Sequence, residues 1–229
     1  MNNLQKLGGL AALSMAIIYV SAFIFFGAIW DAPPSGADVV QKLAFLKDNQ
    51  VILTIVNFIM YVVFGVFLAV LVLALHERLK GNAKALSQTA SVFGLLWVGL
   101  VIASGMIANI GLGNVIGLSL KEPELARTVW LVVNTIVEGL GGGNEIVGGL
   151  WVLVLSIAAI KANALSKKFN YLGIFVGLSG ILTVYPADIL TEVFGLSQIV
   201  WFSWLGLIML KQPSKLTENS DVDFQARSA

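Results

Sequence analysis

The 229-residue chain contains no cysteine and one histidine, His76. Those absences exclude disulfides, thiolate nucleophiles, cysteine-based metal sites, histidine-cluster metal centres and bis-histidine haem ligation. Charge is scarce too. Asp, Glu, Lys and Arg make up 12% of the chain, against about 25% in a soluble domain. A net charge of +1 gives no reason to expect a nucleic-acid partner. The apolar runs carry no Lys for a retinal-type Schiff base and no Arg for a voltage sensor. There is no Walker motif, no His-Glu-x-x-His and no Gly-x-Ser-x-Gly, so no cofactor is expected. Gly113-x-x-x-Gly117 and Gly173-x-x-x-Gly177 are close-packing patterns rather than phosphate loops. Glu, Asp, Asn, Tyr, Ser and Thr remain for polar chemistry.

What is abundant is apolar surface. Hydrophobic residues make up 58% of the chain and the mean hydropathy is +0.89. The few charges cluster between long apolar runs, which predicts an all-α polytopic membrane bundle embedded in a lipid bilayer. Six transmembrane helices are expected: 7–30, 51–75, a third from near Leu86, a fourth ending at Ile160, 169–185 and 193–210. They form one domain, 1–211, followed by a polar tail, 212–229, read as disordered. The first run exceeds the roughly 7–15-residue core of a signal peptide. It ends in Trp30-Asp31-Ala32-Pro33-Pro34 and is read as a retained helix.

Orientation follows from the bases between spans. Lys6, Arg78, Lys80, Lys84, Lys161, Lys167, Lys168, Lys211, Lys215 and Arg227 fall on one side. Lys42, Lys47, Lys121 and Arg127 fall on the other. The positive-inside rule places both termini in the cytoplasm. The outer side is acidic and is read as a solvated rim. There, 35–49 has the pattern of a short amphipathic interfacial helix, and Trp30 and Trp130 sit where aromatic anchors belong.

Residues 85–120 carry no charge. As one helix they would reach ~54 Å, too long for a hydrocarbon core of ~30 Å. The third helix is therefore expected to end near Ile110, with Gly111, Gly113 and Gly117 forming a bent segment flanked by Asn109 and Asn114. Pro123 suits the first turn of the next helix.

Residues 128–160 have the same excess length, and they contain Glu138-Gly139-Leu140-Gly141-Gly142-Gly143-Asn144-Glu145. Each glycine costs a helix about 1 kcal/mol relative to alanine, so a break is expected around 139–143. Counting from Lys161 at the inner interface, Glu145 lies ~24 Å up and Glu138 ~35 Å up along a regular helix. That puts Glu145 in the outer third of the core and Glu138 near its boundary. On such a helix Asn134, Glu138 and Glu145 share an arc of ~40°, continued by Ser156. An intramembrane carboxylate is costly and is a functional-site hypothesis by default. Glu145, helped by Asn144 and Glu138, is read as the group that binds a proton, a cation or an amine-bearing solute. The competing reading has it hydrogen-bonded to a neighbouring helix, with the glycines serving packing.

Other polar residues carry less. Asp188, after the fifth span, is placed to close over the same cavity or to serve as a surface acid. Asn57 and Tyr61, one turn apart, suit an interhelical hydrogen bond. His76 begins a solvated helix end. Oxygen ligands alone would suit Na⁺, Mg²⁺ or Ca²⁺, but no ligand spacing marks a metal site.

Leu7-Gly8 and Leu13-Ser14 recur as Leu172-Gly173 and Leu178-Ser179, a spacing compatible with a duplicated element. Leu4-Gln5-Lys6-Leu7-Gly8-Gly9 and the run from Gly141 through Asn144, Glu145 and Gly149 to Trp151 also carry a resemblance. Over 4–210 the chain resembles a bacterial family of small polytopic membrane proteins defined by domain of unknown function 4386. The resemblance implies a multi-pass fold in the bacterial cytoplasmic membrane and lends no activity or catalytic residue. Three functions stay open: binding or transport of a small solute or cation through a cavity at Glu145; a membrane-embedded enzyme acting on lipid, with Glu145 and Glu138 as acid and base; and a non-catalytic sensor or assembly partner. Nothing in the sequence sets the oligomeric state.

Overall fold

The structure, a computed structural model, describes residues 2–34, 36–142, 145–185 and 187–211. The polar tail and Asn144 lie outside the described residues. Among those described there is no strand, and nine α-helices follow one another. Helix α1 spans Asn2–Ile24 and runs into a π-helical turn, Phe25–Ile29. Then comes α2, Val39–Asp48. α3, Gln50–Asn57, and α4, Phe64–Leu79, are joined by a second π-helical turn, Phe58–Val63. α5 is Lys84–Ser119. α6, Pro123–Val137, leads into a third π-helical turn, Glu138–Gly142. α7 is Ile146–Ala162, α8 is Lys167–Leu182 and α9 is Asp188–Lys211.

Helix starts follow local chemistry. The Asp38 carboxylate accepts from the Gln41 N–H at 2.8 Å, and Ser166 Oγ accepts from the Phe169 N–H at 3.3 Å. Both are side-chain N-caps. Pro123 opens α6 as expected. Five helical stretches, Asn3–Ile29, Gln50–Leu79, Lys84–Ser119, Pro123–Ala162 and Asp188–Lys211, are long and apolar enough to cross a membrane. That is the build of a multi-pass membrane protein, whose backbone polar groups must be satisfied within helices. α8, the fifth of the expected spans, is a helix of 16 residues, just under the 17 or so that a crossing requires.

Six helices form a closed ring in the order α1, α4, α5, α7, α8, α9 and back to α1, while α6 packs on the outside of α5. α1 and α9 are antiparallel. Gly9 lies against Gly206 and Leu210, and Gly195 against Phe23. The first and last helices therefore have their terminal ends together, here named the near end. Aromatic side chains fill the middle of the ring. Their centroids step from Tyr19 to Phe64 at 5.5 Å, to Trp97 at 5.7 Å, to Trp151 at 5.7 Å, to Trp201 at 5.6 Å and to Phe169 at 5.7 Å. Spacings of 4.5–7 Å favour aromatic pairs, and this interior is packed rather than open. At the far end a second, smaller core joins Leu43 and Leu46 of α2, Leu53, Leu112 and Val115 of α5, and Ala126 of α6.

The structure corrects two expectations. α5 does not end near Ile110 but continues unbroken to Ser119. Gly111 permits contact rather than a bend, since a Cβ there would lie 2.5 Å from Val133 Cγ1, while Gly113 and Gly117 sit in the unbroken helix with nothing within 4 Å. The extra turns belong to the far-end core, whose packing outweighs the helix cost of glycine. The second correction concerns the polar stripe. Gly141 has φ 133° and ψ 21°, outside any helix, so Asn134, Glu138 and Glu145 share no single helical face.

Candidate functional site

Glu145 sits where α7 begins, and this start is built by glycine. Gly141 takes a backbone conformation that L side chains rarely adopt, and the chain re-enters a helix at Ile146. α8 holds the new helix start. The Glu145 N–H donates to Thr183 Oγ1 at 2.8 Å, and the Thr183 hydroxyl donates to the Gly180 carbonyl at 2.7 Å. The first turn of α7 can meet α8 because Gly149 has no side chain. A Cβ there would lie 2.7 Å from the Gly177 carbonyl oxygen and 2.7 Å from the Ile181 nitrogen.

The Glu145 side chain turns inward. It is 9% exposed, and its Oε2 is buried with no hydrogen-bond partner among the described residues. The Trp97 indole approaches the carboxyl, but its Nε1 also stands outside hydrogen-bond geometry. Both line a chamber of about 80 Å³ whose other walls include Tyr19, Tyr61, Phe64 and Gly141. A water takes up ~30 Å³ of liquid, so the chamber holds a group of a few heavy atoms. Below it the packed rings of Trp97, Trp151 and Trp201 close the route toward the near end.

Above it lies a cavity of about 1000 Å³ between α2 and the ring. Its walls are largely apolar, with Phe26, Trp30, Leu43, Leu53, Trp130 and Leu131 among them. Asp38, Lys42, Glu124 and Arg127 supply two acids and two bases. Among the described residues Tyr61 alone lines both spaces. It sits on a π-helical turn, a feature frequent at functional sites. The other two π-helical turns also supply wall residues, Phe26 to the large cavity and Gly141 to the chamber.

The structure disperses the residues singled out from sequence. Glu145 lines the chamber and Asn134 lines the large cavity. Glu138 and Asp188 are not among the residues bordering either space. Asn57 Nδ2 donates to Asn109 Oδ1 at 3.1 Å, and Asn109 Nδ2 donates to the Thr54 carbonyl at 3.2 Å. Asn57 also faces the large cavity. His76 Nδ1 pairs with Ser87 Oγ at 2.9 Å at the near end. Three residues that sequence reasoning did not select belong to the site: Tyr19 and Trp97 as walls and Thr183 as the backbone anchor. Away from the chamber, the buried Gln198 of α9 has neither its side-chain oxygen nor its nitrogen paired among the described residues. No three His, Cys, Asp or Glu side chains converge among the described residues.

Family models, curated proteins and solved structures gave no match to the chain. The likeness to the family named above rests on its short motifs alone.

Proposed function

We propose that the protein binds a small solute or cation at Glu145 and moves it across the bacterial cytoplasmic membrane. One observation carries this reading. A nine-tenths-buried carboxyl has an unpartnered oxygen among the described residues and faces a chamber that shares Tyr61 with a large far-end cavity. An unpaired buried carboxyl is expensive, and a ligand that supplies the missing partner recovers that cost. With the rings beneath it packed, entry past Tyr61 would make this a binding site reached from one side, as alternating access requires. The lipid-enzyme alternative loses support because Glu138, its second carboxylate, does not border the chamber.

Topology follows the same proposal. Six crossings are supported by the antiparallel α1 and α9, which put the described termini at one end; with α8 left out, they would lie at opposite ends. α8 is short, but Thr183–Tyr185 extends its apolar run. The near end carries Lys6, the bases of the α4–α5 and α7–α8 turns, and Lys211. The positive-inside rule makes that end cytoplasmic and the large cavity external, with α2 lying along the outer interface.

The test is solute flux into proteoliposomes, measured across small amines, cations and protons for the wild type and Glu145→Gln. Loss of flux or of its pH dependence supports the reading. Unchanged values of both refute it.

A further inference from the structure

Resting on that site, we infer that its ligand is an organic ammonium bearing an apolar substituent, with the charged head in the Glu145 chamber and the substituent in the outer cavity. The chemistry of the walls separates this class from a metal cation. Mg²⁺ and Ca²⁺ require six or more oxygen ligands. The chamber offers one carboxyl and the phenols of Tyr19 and Tyr61, set among Ile18, Ala22 and Val101. Such a wall cannot replace a hydration shell. It does suit a group whose charge is spread over methyl or methylene surface. The chamber places four aromatic side chains, Tyr19, Tyr61, Phe64 and Trp97, around one buried carboxyl oxygen. Ring faces attract ammonium groups, and aromatic cages recognise quaternary ones. Here the carboxylate adds the opposite charge.

Size and adjacency supply the rest. A chamber of about 80 Å³ takes a headgroup but not a large solute. Tyr61 also borders the cavity of about 1000 Å³, whose apolar rings and leucines match a hydrocarbon or aryl substituent. A polar solute would leave that surface poorly used. A wholly apolar one would leave the Glu145 oxygen without a partner. One amphiphilic cation satisfies both.

The experiment is calorimetric titration of the full-length protein in lipid nanodiscs with benzyltrimethylammonium, its uncharged isostere neopentylbenzene, and NaCl. Folding of each variant is checked by thermal melting. Benzyltrimethylammonium should bind the wild type, and neopentylbenzene and Na⁺ should neither match nor displace it. Glu145→Gln should weaken binding at least roughly thirtyfold and Tyr61→Leu about tenfold. Tyr61→Phe, which keeps the ring, should stay within about twofold of wild type. If Na⁺ saturates a Glu145-dependent site and the ammonium does not compete, the ammonium inference is wrong while a cation site at Glu145 stands. If folded wild type binds neither, or Glu145→Gln binds the ammonium as well as wild type, the ammonium inference is wrong, and the flux assay on Glu145→Gln decides the reading it rests on.

Discussion

Tyr61, on the turn that leads into α4, and Glu145, at the start of α7, line the same chamber from the two neighbours of α5, and among the described residues Tyr61 alone also borders the far-end cavity. The carboxyl is thus one side chain away from the far-end cavity, while packed indoles lie beneath it.

Thr183 is a positioning residue. It holds the Glu145 N–H through its hydroxyl and does not line the chamber. Thr183→Val should cost about 1 kcal/mol of stability and weaken benzyltrimethylammonium binding, whereas Thr183→Ser should restore both. Thermal melts and titrations of the two variants check this. Equal loss in both variants would rule out the hydroxyl as the cause.

The glycines around the break should respond unequally. Gly141 has φ 133° with open space where a methyl would go, the nearest atom being Val101 Cγ2 at 3.9 Å. Gly139 has nothing within 4 Å and an ordinary φ. Gly141→Ala should therefore destabilise the protein by about 1–3 kcal/mol or more through backbone strain alone. Gly139→Ala should be neutral or slightly stabilising. Melting temperatures in the same detergent compare them.

Gly149→Ala tests the contact that seats α7. The added methyl meets the backbone of α8 at 2.7 Å, which cannot rotate away as a side chain can. The expected loss is about 1–3 kcal/mol by overpacking, with weaker ligand binding as the Glu145 end of α7 is pushed from Thr183. A melt unchanged from wild type would contradict the α7–α8 packing.

The absence of cysteine makes any introduced thiol unique, so the crossings can be counted. With six crossings, Asp188→Cys at the start of α9 should react with an impermeant maleimide from the same side as Lys121→Cys, and Asn82→Cys from the opposite side. If α8 does not cross, Asp188→Cys should instead react from the side of Asn82→Cys. Labelling of intact spheroplasts and inside-out vesicles reads the difference.

Much of the scaffold was legible in the sequence because charge-free runs and their basic ends report membrane crossing directly. The α2 helix showed as apolar periodicity in 35–49, and the break at Gly141 as glycine in a run too long for one span. The length of α5 was not legible. Its glycines look like breakers until Val133 is seen packed on Gly111. The stripe through Asn134, Glu138 and Glu145 presupposed a regular helix that Gly141 interrupts. Glu145 stood out among the acids because its burial is costly. Tyr19, Trp97 and Thr183 did not, and Tyr61 showed only as a partner of Asn57, because the four come from separate segments, and no local spacing links a tyrosine in one apolar run to a tryptophan in another.

The most direct measurement is the reactivity of Glu145→Cys toward a membrane-impermeant trimethylammonium-ethyl thiosulfonate, applied to each face of sealed vesicles. A chamber open to the outer cavity predicts labelling from the outer face only, and none for Trp201→Cys in the aromatic plug. Labelling from the inner face, or none from either face in a folded variant, would contradict a carboxyl site reached past Tyr61.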